Sequence, residues 1–305
     1  MRYKVVAYMN GVPNPKKNSN KVEILKRFIN GVTASGDNGH LHFGNGTIPA
    51  DIAVIQGWVH TGSERTPHLM LRKKAIDYQA QTKKRSLIVD SNLFNYKVGK
   101  DHNLQYLRYS FDGVFPTTGN YFDSEVDPAR WQQIQKDLGI HLNDWRTKGD
   151  HILIATQRNG GWSMQGNNVV DWLDNTISQI KQYTDRPIIV RGHPGDKRAK
   201  EYLANRGYTL STSPSIVDDF KNAWATVTFN SSPGVASAIE GIPVFVTDPT
   251  PKISQAYPVA NTDLSQIESP QTFDRQEWVE KLSMSHWKFS ETQSGEAWKH
   301  IRKFV

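Results

Sequence analysis

The sequence predicts an α/β protein with a parallel sheet in each of two halves, on three observations. Apolar runs of strand length alternate with stretches of helical composition along most of the chain. That alternation occurs twice, on either side of a polar, turn-like stretch at 139–150. The length of 305 residues favours two cores over one. The halves read as 1–140 and 151–290, with 291–305 as a terminal helix.

In the first half, Tyr3 to Tyr8 is a strand, followed by the turn-forming run Asn10 to Pro15. Asn18 or Ser19 caps a helix running through Phe28. Asp51 to Gln56 is a buried strand that ends at Gly57-Trp58-Val59-His60. Pro67 to Gln81 has helical composition, with proline at an early helical position. Ser86 to Val89 is the next strand and ends at Asp90-Ser91-Asn92. Residues 95–125 are aromatic with few helix signals and read as loops and short strands. Asp127 to Leu138 is a helix with Pro128 near its start.

The second half repeats the rhythm. His151 to Ala155 is a strand that enters the loop Thr156 to Gly161. Asn168 to Tyr183 is a helix with Val169, Trp172, Leu173, Thr176, Ile177 and Ile180 at spacings of three and four. The strand around Ile188 to Val190 ends in Arg191-Gly192-His193-Pro194-Gly195-Asp196. Lys197 to Arg206 is a short helix, and Ser215 to Asn222 is another, capped by Ser213 or Ser215. Trp224 to Phe229 is a buried strand, followed by Asn230-Ser231-Ser232, a short helix from Pro233 that Gly241 ends, and a further apolar strand to Val246. Helices at Gln276 to Met284 and Ser294 to Phe304 close the chain.

Three strand ends in the second half carry chemistry suited to an anion. Asn230, Ser231 and Ser232 precede a helix whose N-terminus presents unpaired N–H groups, with Gly234 in its first turn. Arg191 and His193 stand after a second strand, and Arg158 with Gly160 after a third. Open α/β sheets bind ligands at this carboxyl edge. Three such ends in one repeating half predict a phosphate site.

His193-Pro194 and the Ser231-Ser232 pair resemble the HP and SS signatures of bacterial sialyltransferases and related capsule sugar transferases. The resemblance implies the GT-B fold, two Rossmann-like domains facing across a cleft, with these motifs on the phosphates of a nucleotide-sugar. It also implies a last helix that crosses back to the first domain, for which Trp298, Ile301 and Phe304 supply an apolar stripe. Further stretches, Ile88 to Phe94, Tyr106 to Pro116 and Ser294 to Trp298, are similar to glycosyltransferases of tailed phages. Some of that group attach sugars to hydroxymethylated bases in DNA.

Composition narrows the classes. No apolar stretch approaches the ~18 residues of a membrane span, and the N-terminus lacks a signal-peptide core. There are no cysteines, hence no disulfide or thiolate metal site, which fits a cytoplasmic protein, or the host cytoplasm if phage-encoded. Mean hydropathy is −0.60. P-loop, nucleophile-elbow and dinucleotide-fingerprint motifs are all missing. His40 and His42 share a strand face but have no carboxylate pair at metal spacing, so no metal site is expected. The net charge of +7 favours a polyanionic partner, double-stranded DNA among them, with Arg72, Lys73, Lys74, Lys83 and Arg108 as expected contacts. Tyr96, Tyr106, Tyr109, Phe111 and Phe115 are available to stack a flipped-out base.

The expected reaction is transfer of a sugar from a nucleotide-sugar, a UDP- or CMP-sugar, with no other cofactor and no metal. The leaving phosphate needs stabilisation as charge develops, for which Arg158, Arg191, His193, Ser231, Ser232 and Gly234 are available. An inverting enzyme also needs a general base from the first domain, in the order Asp90, Asp112, Glu64. Three function classes compete: transfer to a DNA base, transfer to a surface glycan, and a sugar-nucleotide epimerase or non-catalytic binder of the same fold.

Overall fold

A computed structural model describes residues 2–14, 16–59, 65–97, 106–114, 126–204, 206–250 and 254–305. Glu64 and Phe115 lie outside them. In chain order the first half contains β1 (Lys4–Tyr8), α1 (Ser19–Ala34), β2 (Asn38–His42), β3 (Ile52–Gln56), α2 (Pro67–Gln81), β4 (Arg85–Asp90), β5 (Tyr106–Phe111) and α3 (Pro128–Leu138). Then come β6 (His151–Ala155), α4 (Val169–Ile180), β7 (Ile188–Arg191), α5 (Ala199–Ala204), β8 (Thr209–Leu210), α6 (Ile216–Phe220), β9 (Ala223–Thr228), α7 (Pro233–Ile239) and β10 (Val244–Val246). The chain ends with α8 (Gln276–Ser283), β11 (His286–Lys288), α9 (Phe289–Ser294) and α10 (Glu296–Ile301).

The chain forms two compact units. Unit 1 comprises Met1–Asn92, Lys100–Val126 and Lys281–Val305; unit 2 comprises Leu93–Gly99 and Asp127–Glu280. This division differs from the boundaries read in the sequence at both ends of the second half. α3 belongs to unit 2, where Trp131 packs on Phe94 with ring centroids 5.6 Å apart. The segment from Lys281 belongs to unit 1, because β11 completes that unit's sheet and Trp298 and Ile301 are buried in its core.

The sheet of unit 1 runs β11-β5-β4-β3-β1-β2. β1 to β4 are mutually parallel, β5 runs antiparallel to β4, and β11 pairs antiparallel with β5 and so regains the direction of the first four. Val5, Ala7, Val54, Leu87 and Val89 pack with Phe28 of α1, Tyr109 and Trp298. The C-terminal helices lie directly on α1. A Cβ at Gly31 would sit 1.8 Å from the Thr292 carbonyl oxygen, so only glycine permits that approach. Asp37 ties the same segment down. Its buried carboxylate accepts from Tyr3 N–H at 2.9 Å, Trp298 Nε1 at 2.7 Å and Arg302 Nε at 3.0 Å. Asn18 does not cap α1 through its side chain; its amide donates instead to the Pro13 carbonyl at 2.6 Å.

The sheet of unit 2 is entirely parallel, in the order β10-β9-β6-β7-β8. Its central strands β6 and β9 are buried along their whole length, as continuous apolar runs require in a sheet covered on both faces. The stripe expected on α4 is its buried face, Val169, Trp172, Leu173, Thr176 and Ile180. Ser215 caps α6 by accepting the Asp218 N–H at 3.2 Å.

Candidate functional site

The three motif loops of unit 2 follow β6, β7 and β9, with β6 between the other two. Two consecutive residues at the end of β6 tie the loops together. Thr156 Oγ1 accepts the His193 N–H at 3.1 Å and donates to the Arg191 carbonyl at 3.2 Å, which fixes the β7 loop. Gln157 reaches the other way. Its Oε1 accepts the Asn230 N–H at 2.9 Å, and its Nε2 donates to Ser163 Oγ at 2.6 Å. A second link joins the β6 and β7 loops, since Asn159 N–H donates to Asp196 Oδ2 at 2.9 Å.

Asn230 holds the serine turn from inside. Its amide donates to Asp248 Oδ2 at 2.6 Å and to the Ser163 carbonyl at 3.0 Å. Asp248 is buried after β10 and also accepts from Gln165 Nε2 at 2.9 Å and Thr250 N–H at 2.7 Å. Asn230 therefore has its side-chain NH2 engaged within the protein and does not cap α7. Neither serine caps α7 through its side chain. The Ser231 hydroxyl is buried and has no partner, and among the described residues no acceptor meets the backbone N–H of Ser231 or Ser232. Ser232 itself is exposed. Buried hydroxyls are nearly always hydrogen-bonded, so this leftover donor marks a place for a ligand acceptor. Gly234 plays a different part from the one expected. A Cβ there would lie 3.2 Å from Ala256 Cβ and 3.3 Å from Val244 Cγ1, so its small size serves packing of the helix.

His193 is half-buried. Burial, and secondarily the Arg158 guanidinium, pull its pKa down against the opposing effect of Asp196. Gly195 N–H donates to Nδ1 at 3.0 Å. Nδ1 thus keeps its lone pair, and the neutral ring carries its proton on Nε2, ready to donate. Arg158 is exposed beside it with no ion-pair partner among the described residues. Gly160 sits at φ +68 in the open turn that follows, with nothing within 4 Å of a Cβ there.

Arg191 is engaged within the protein. Its guanidinium forms an ion pair with Asp219, whose side chain is 3% exposed, and donates to the Ser213 and Ser215 carbonyls at 3.2 Å each. It braces α6 against β7 and is not an open cation. A groove of about 680 Å³ also opens in unit 2, lined by Asp171, Trp172, Asn175, Phe229, Thr247 and Asp263 among others. Its lining carries two carboxylates and no cation, so it does not suit a phosphate.

In unit 1 the strand register separates the two candidate bases. Asp90 pairs with Arg108 in the β4–β5 ladder, and Leu87 with Phe111. Asp90 therefore stands at the carboxyl edge of the parallel strands, while Asp112 lies at the opposite, amino edge. There Asp112 adopts φ +56, accepts Ser86 N–H at 2.8 Å and forms an ion pair with Arg85. Asp112 is a structural residue. Asp90 accepts Ser91 N–H at 2.8 Å and Arg108 NH2 at 3.0 Å.

The residues expected to contact DNA are scattered. Arg72 and Arg108 are buried, Lys73 is ion-paired with Asp77, and Lys74 and Lys83 are exposed. The stacking platform also dissolves. Tyr106, Tyr109 and Phe111 are core residues, and Tyr96 in unit 2 donates its hydroxyl to Glu240 at 2.6 Å. Among the described residues no group of three His, Asp or Glu is placed to hold a metal, and no helix is long and apolar enough to cross a membrane. Thr156, Gln157 and Asp248 were missed as positioning residues. Their sequence signal is a polar residue directly after a continuous apolar strand.

No protein-family model matches the chain, and no curated protein matches it in sequence. Among solved structures it is similar to KpsC of Thermosulfurimonas dismutans, described as a β-Kdo 2,4 transferase, at 13% identity and TM-score 0.56, covering 93% of this chain and 90% of that one. It is also similar to KpsC of the same organism described as a β-Kdo 2,7 transferase, at 13% identity and TM-score 0.52, covering 92% and 89%. A looser likeness, TM-score 0.37 at 11% identity over 100% of both chains, is to a UDP-GlcNAc 2-epimerase of Methanocaldococcus jannaschii in complex with UDP-GlcNAc and UDP. The first two show the fold: α/β, GT-B-like, with two Rossmann-like domains.

Proposed function

We propose that the protein is a glycosyltransferase that moves a sugar from a nucleotide-sugar donor to a hydroxyl of a glycan acceptor. One observation carries the reading: Thr156 and Gln157 tether the loops of His193 and of Ser231-Ser232 to the central strand of a parallel sheet. The donors left over at that edge are the His193 Nε2–H, the Ser231 hydroxyl, the N–H groups of the serine turn and the exposed Arg158. Such an array suits a diphosphate, and would stabilise the negative charge that grows on it as the glycosidic bond breaks. In this reading the donor is a UDP- or CMP-sugar, and cations and backbone dipoles do the work at the leaving group without a metal. Asp90 is the base retained for the acceptor hydroxyl, since Asp112 stands at the wrong edge.

The net charge of +7 is the observation on the side of a DNA acceptor. Against it, two of the five expected contacts are buried and a third is paired. We adopt the glycan acceptor. The test is thermal stabilisation of the chain by UDP-, CMP-, GDP- and ADP-sugars, followed by transfer to an oligosaccharide and to hydroxymethylated duplex DNA. One nucleotide class should stabilise the protein. His193→Ala and the Ser231→Ala/Ser232→Ala pair should each weaken its binding about tenfold or more, the worth of a hydrogen bond to a charged group. Absence of any nucleotide effect overturns the reading, and transfer to DNA alone overturns the choice of acceptor.

A further inference from the structure

A second cluster of unmatched polar groups stands at the carboxyl edge of the unit 1 sheet. Its centre is Arg72 on α2, which is 7% exposed. Nε of Arg72 donates to the Gly11 carbonyl at 2.7 Å, and that is the one hydrogen bond it makes among the described residues. Its two terminal nitrogens have no acceptor there. Arg108 on β5 is 3% exposed. Its NH2 donates to Asp90 at 3.0 Å, while its Nε and NH1 are buried without a partner. Gln56, at the end of β3, has a buried Oε1 that also lacks a partner.

Two glycines line the Arg72 side chain, Gly11 at ordinary contact distance and Gly57 closely. Its stem passes Gly11, where a Cβ would stand 3.4 Å from Arg72 Cγ. Its head lies at Gly57, where a Cβ would stand 2.9 Å from NH1, and Gly57 holds φ +79. Any other residue at Gly57 would cover the terminal nitrogens.

Charge counting identifies what is missing. Asp90 is ion-paired with Arg108 and acts electrostatically on Arg72 as well. Among the described residues two guanidinium groups face one carboxylate, which leaves one positive charge unmatched. Burial pulls the Arg72 pKa down to about 10, which leaves it charged at neutral pH. Guanidinium N–H groups without an acceptor in a largely desolvated site are costly, as Nε and NH1 of Arg108 are here, so the pair of arginines calls for an anion. A single remaining charge matches a monoanionic, planar carboxylate better than a dianionic phosphate, and guanidinium forks bind carboxylates bidentately.

We infer that this edge of unit 1 is a carboxylate-binding site built on Arg72 and Arg108, and that its ligand is a sugar acid, the group that carries the acceptor hydroxyl. Gln56 Oε1 is then available to accept from a hydroxyl of the same sugar. The carboxylate site stands on the two arginines alone. Its identification with the acceptor rests on the transferase reading above.

The test is calorimetric titration of the full chain with D-glucuronate and N-acetylneuraminate, each beside its methyl ester, with inorganic phosphate as a separate arm. Nucleotide binding is measured in parallel on the same samples. A sugar acid should bind at millimolar concentration or below, and its ester at least about tenfold more weakly. Arg72→Met, which exchanges the unpaired charge for an apolar side chain of similar length, should abolish acid binding. It should keep nucleotide binding and melt no lower than the parent without ligand. Arg72→Lys keeps the charge but loses the fork, and should bind the acid about tenfold more weakly. The inference is overturned if ester and acid bind alike, if Arg72→Met binds the acid as the parent does, or if phosphate binds more tightly than every acid. It is equally overturned if no acid binds a protein that does bind a nucleotide. Acid binding that Arg72→Met abolishes, in a protein that binds no nucleotide, would uphold the carboxylate site and remove the transferase reading.

Discussion

Asn230→Asp puts the framework of the donor loop under a calculable load. In the native protein the Asn230 amide donates to Asp248 Oδ2 at 2.6 Å, and both residues are buried. The substitution replaces the donor with a second carboxylate at nearly the same distance. Two charges there would repel by about 6 kcal/mol at an effective dielectric of 20. The pair escapes by binding one proton, which at pH 7.5 costs about 5 kcal/mol for a group whose ordinary pKa is near 3.9. At pH 5 the same proton costs only about 1.5 kcal/mol. The shared proton raises the folded-state pKa of the pair above its unfolded value. Stability is therefore retained at low pH and lost as pH rises through the folded value. Urea unfolding followed by tryptophan fluorescence should show Asn230→Asp losing about 3 kcal/mol more between pH 5 and pH 7.5 than the parent does. Asn230→Ala supplies the control: it is destabilised by about 1.5–3 kcal/mol for the lost bond to a charged group, with no added pH slope. Both should weaken nucleotide binding, because the serine turn loses its anchor. A flat pH response in Asn230→Asp would refute the placement of Asn230 against Asp248.

Three further outcomes follow from the packing. Burial alone would raise the Asp37 pKa, but hydrogen bonds from Tyr3, Trp298 and Arg302 outweigh it, and the net direction is down. Its contribution is present above the ordinary carboxylate range and is lost as pH falls through the folded value, so urea midpoints of Asp37→Asn should fall less steeply with acid than those of the parent; parallel curves would contradict this. Asp219→Ala removes the counter-charge of Arg191 in a half-buried site and should cost about 3–5 kcal/mol in denaturant unfolding, whereas a loss below about 1 kcal/mol would mean that the Ser213 and Ser215 carbonyls suffice to hold Arg191. Gly31→Val drives a side chain into the Thr292 carbonyl and should release the C-terminal helices, read as rapid proteolysis after Lys288 or Lys299; a protease-resistant variant would disprove the close approach.

The parts of the fold that could be read from sequence are those whose physics is local. β3, β4, β6 and β9 are buried along nearly their whole length, and such strands appear as unbroken apolar runs. β11, three residues around Trp287, has no such signature; it exists because β5 presents an edge to be covered. The allocation of α3 to unit 2 and of the last helices to unit 1 is likewise set by contacts far apart in the chain, such as Trp298 with Asp37.

The same division explains the site. His193 and the serine pair were visible because a polar motif after a buried strand is a local pattern. The role of Arg191 was not visible, because its partner Asp219 lies on another element and nothing in the strand end distinguishes a braced arginine from an open one. Arg72 is the sharper case. In sequence it begins the run Arg72-Lys73-Lys74, which reads as a solvated basic face. In the structure the inward positions of α2 are Leu71, Arg72, Ala75 and Gln79, so half of the buried face is polar and apolar periodicity cannot reveal it. The side-chain amide of Gln79 donates to the Arg85 carbonyl at 2.8 Å. Among the described residues the terminal nitrogens of Arg72 have no acceptor, and NH1 lies where a Cβ at Gly57 would stand 2.9 Å away. A basic run that reads in sequence as a face for a polyanion thus turns inward at its first residue.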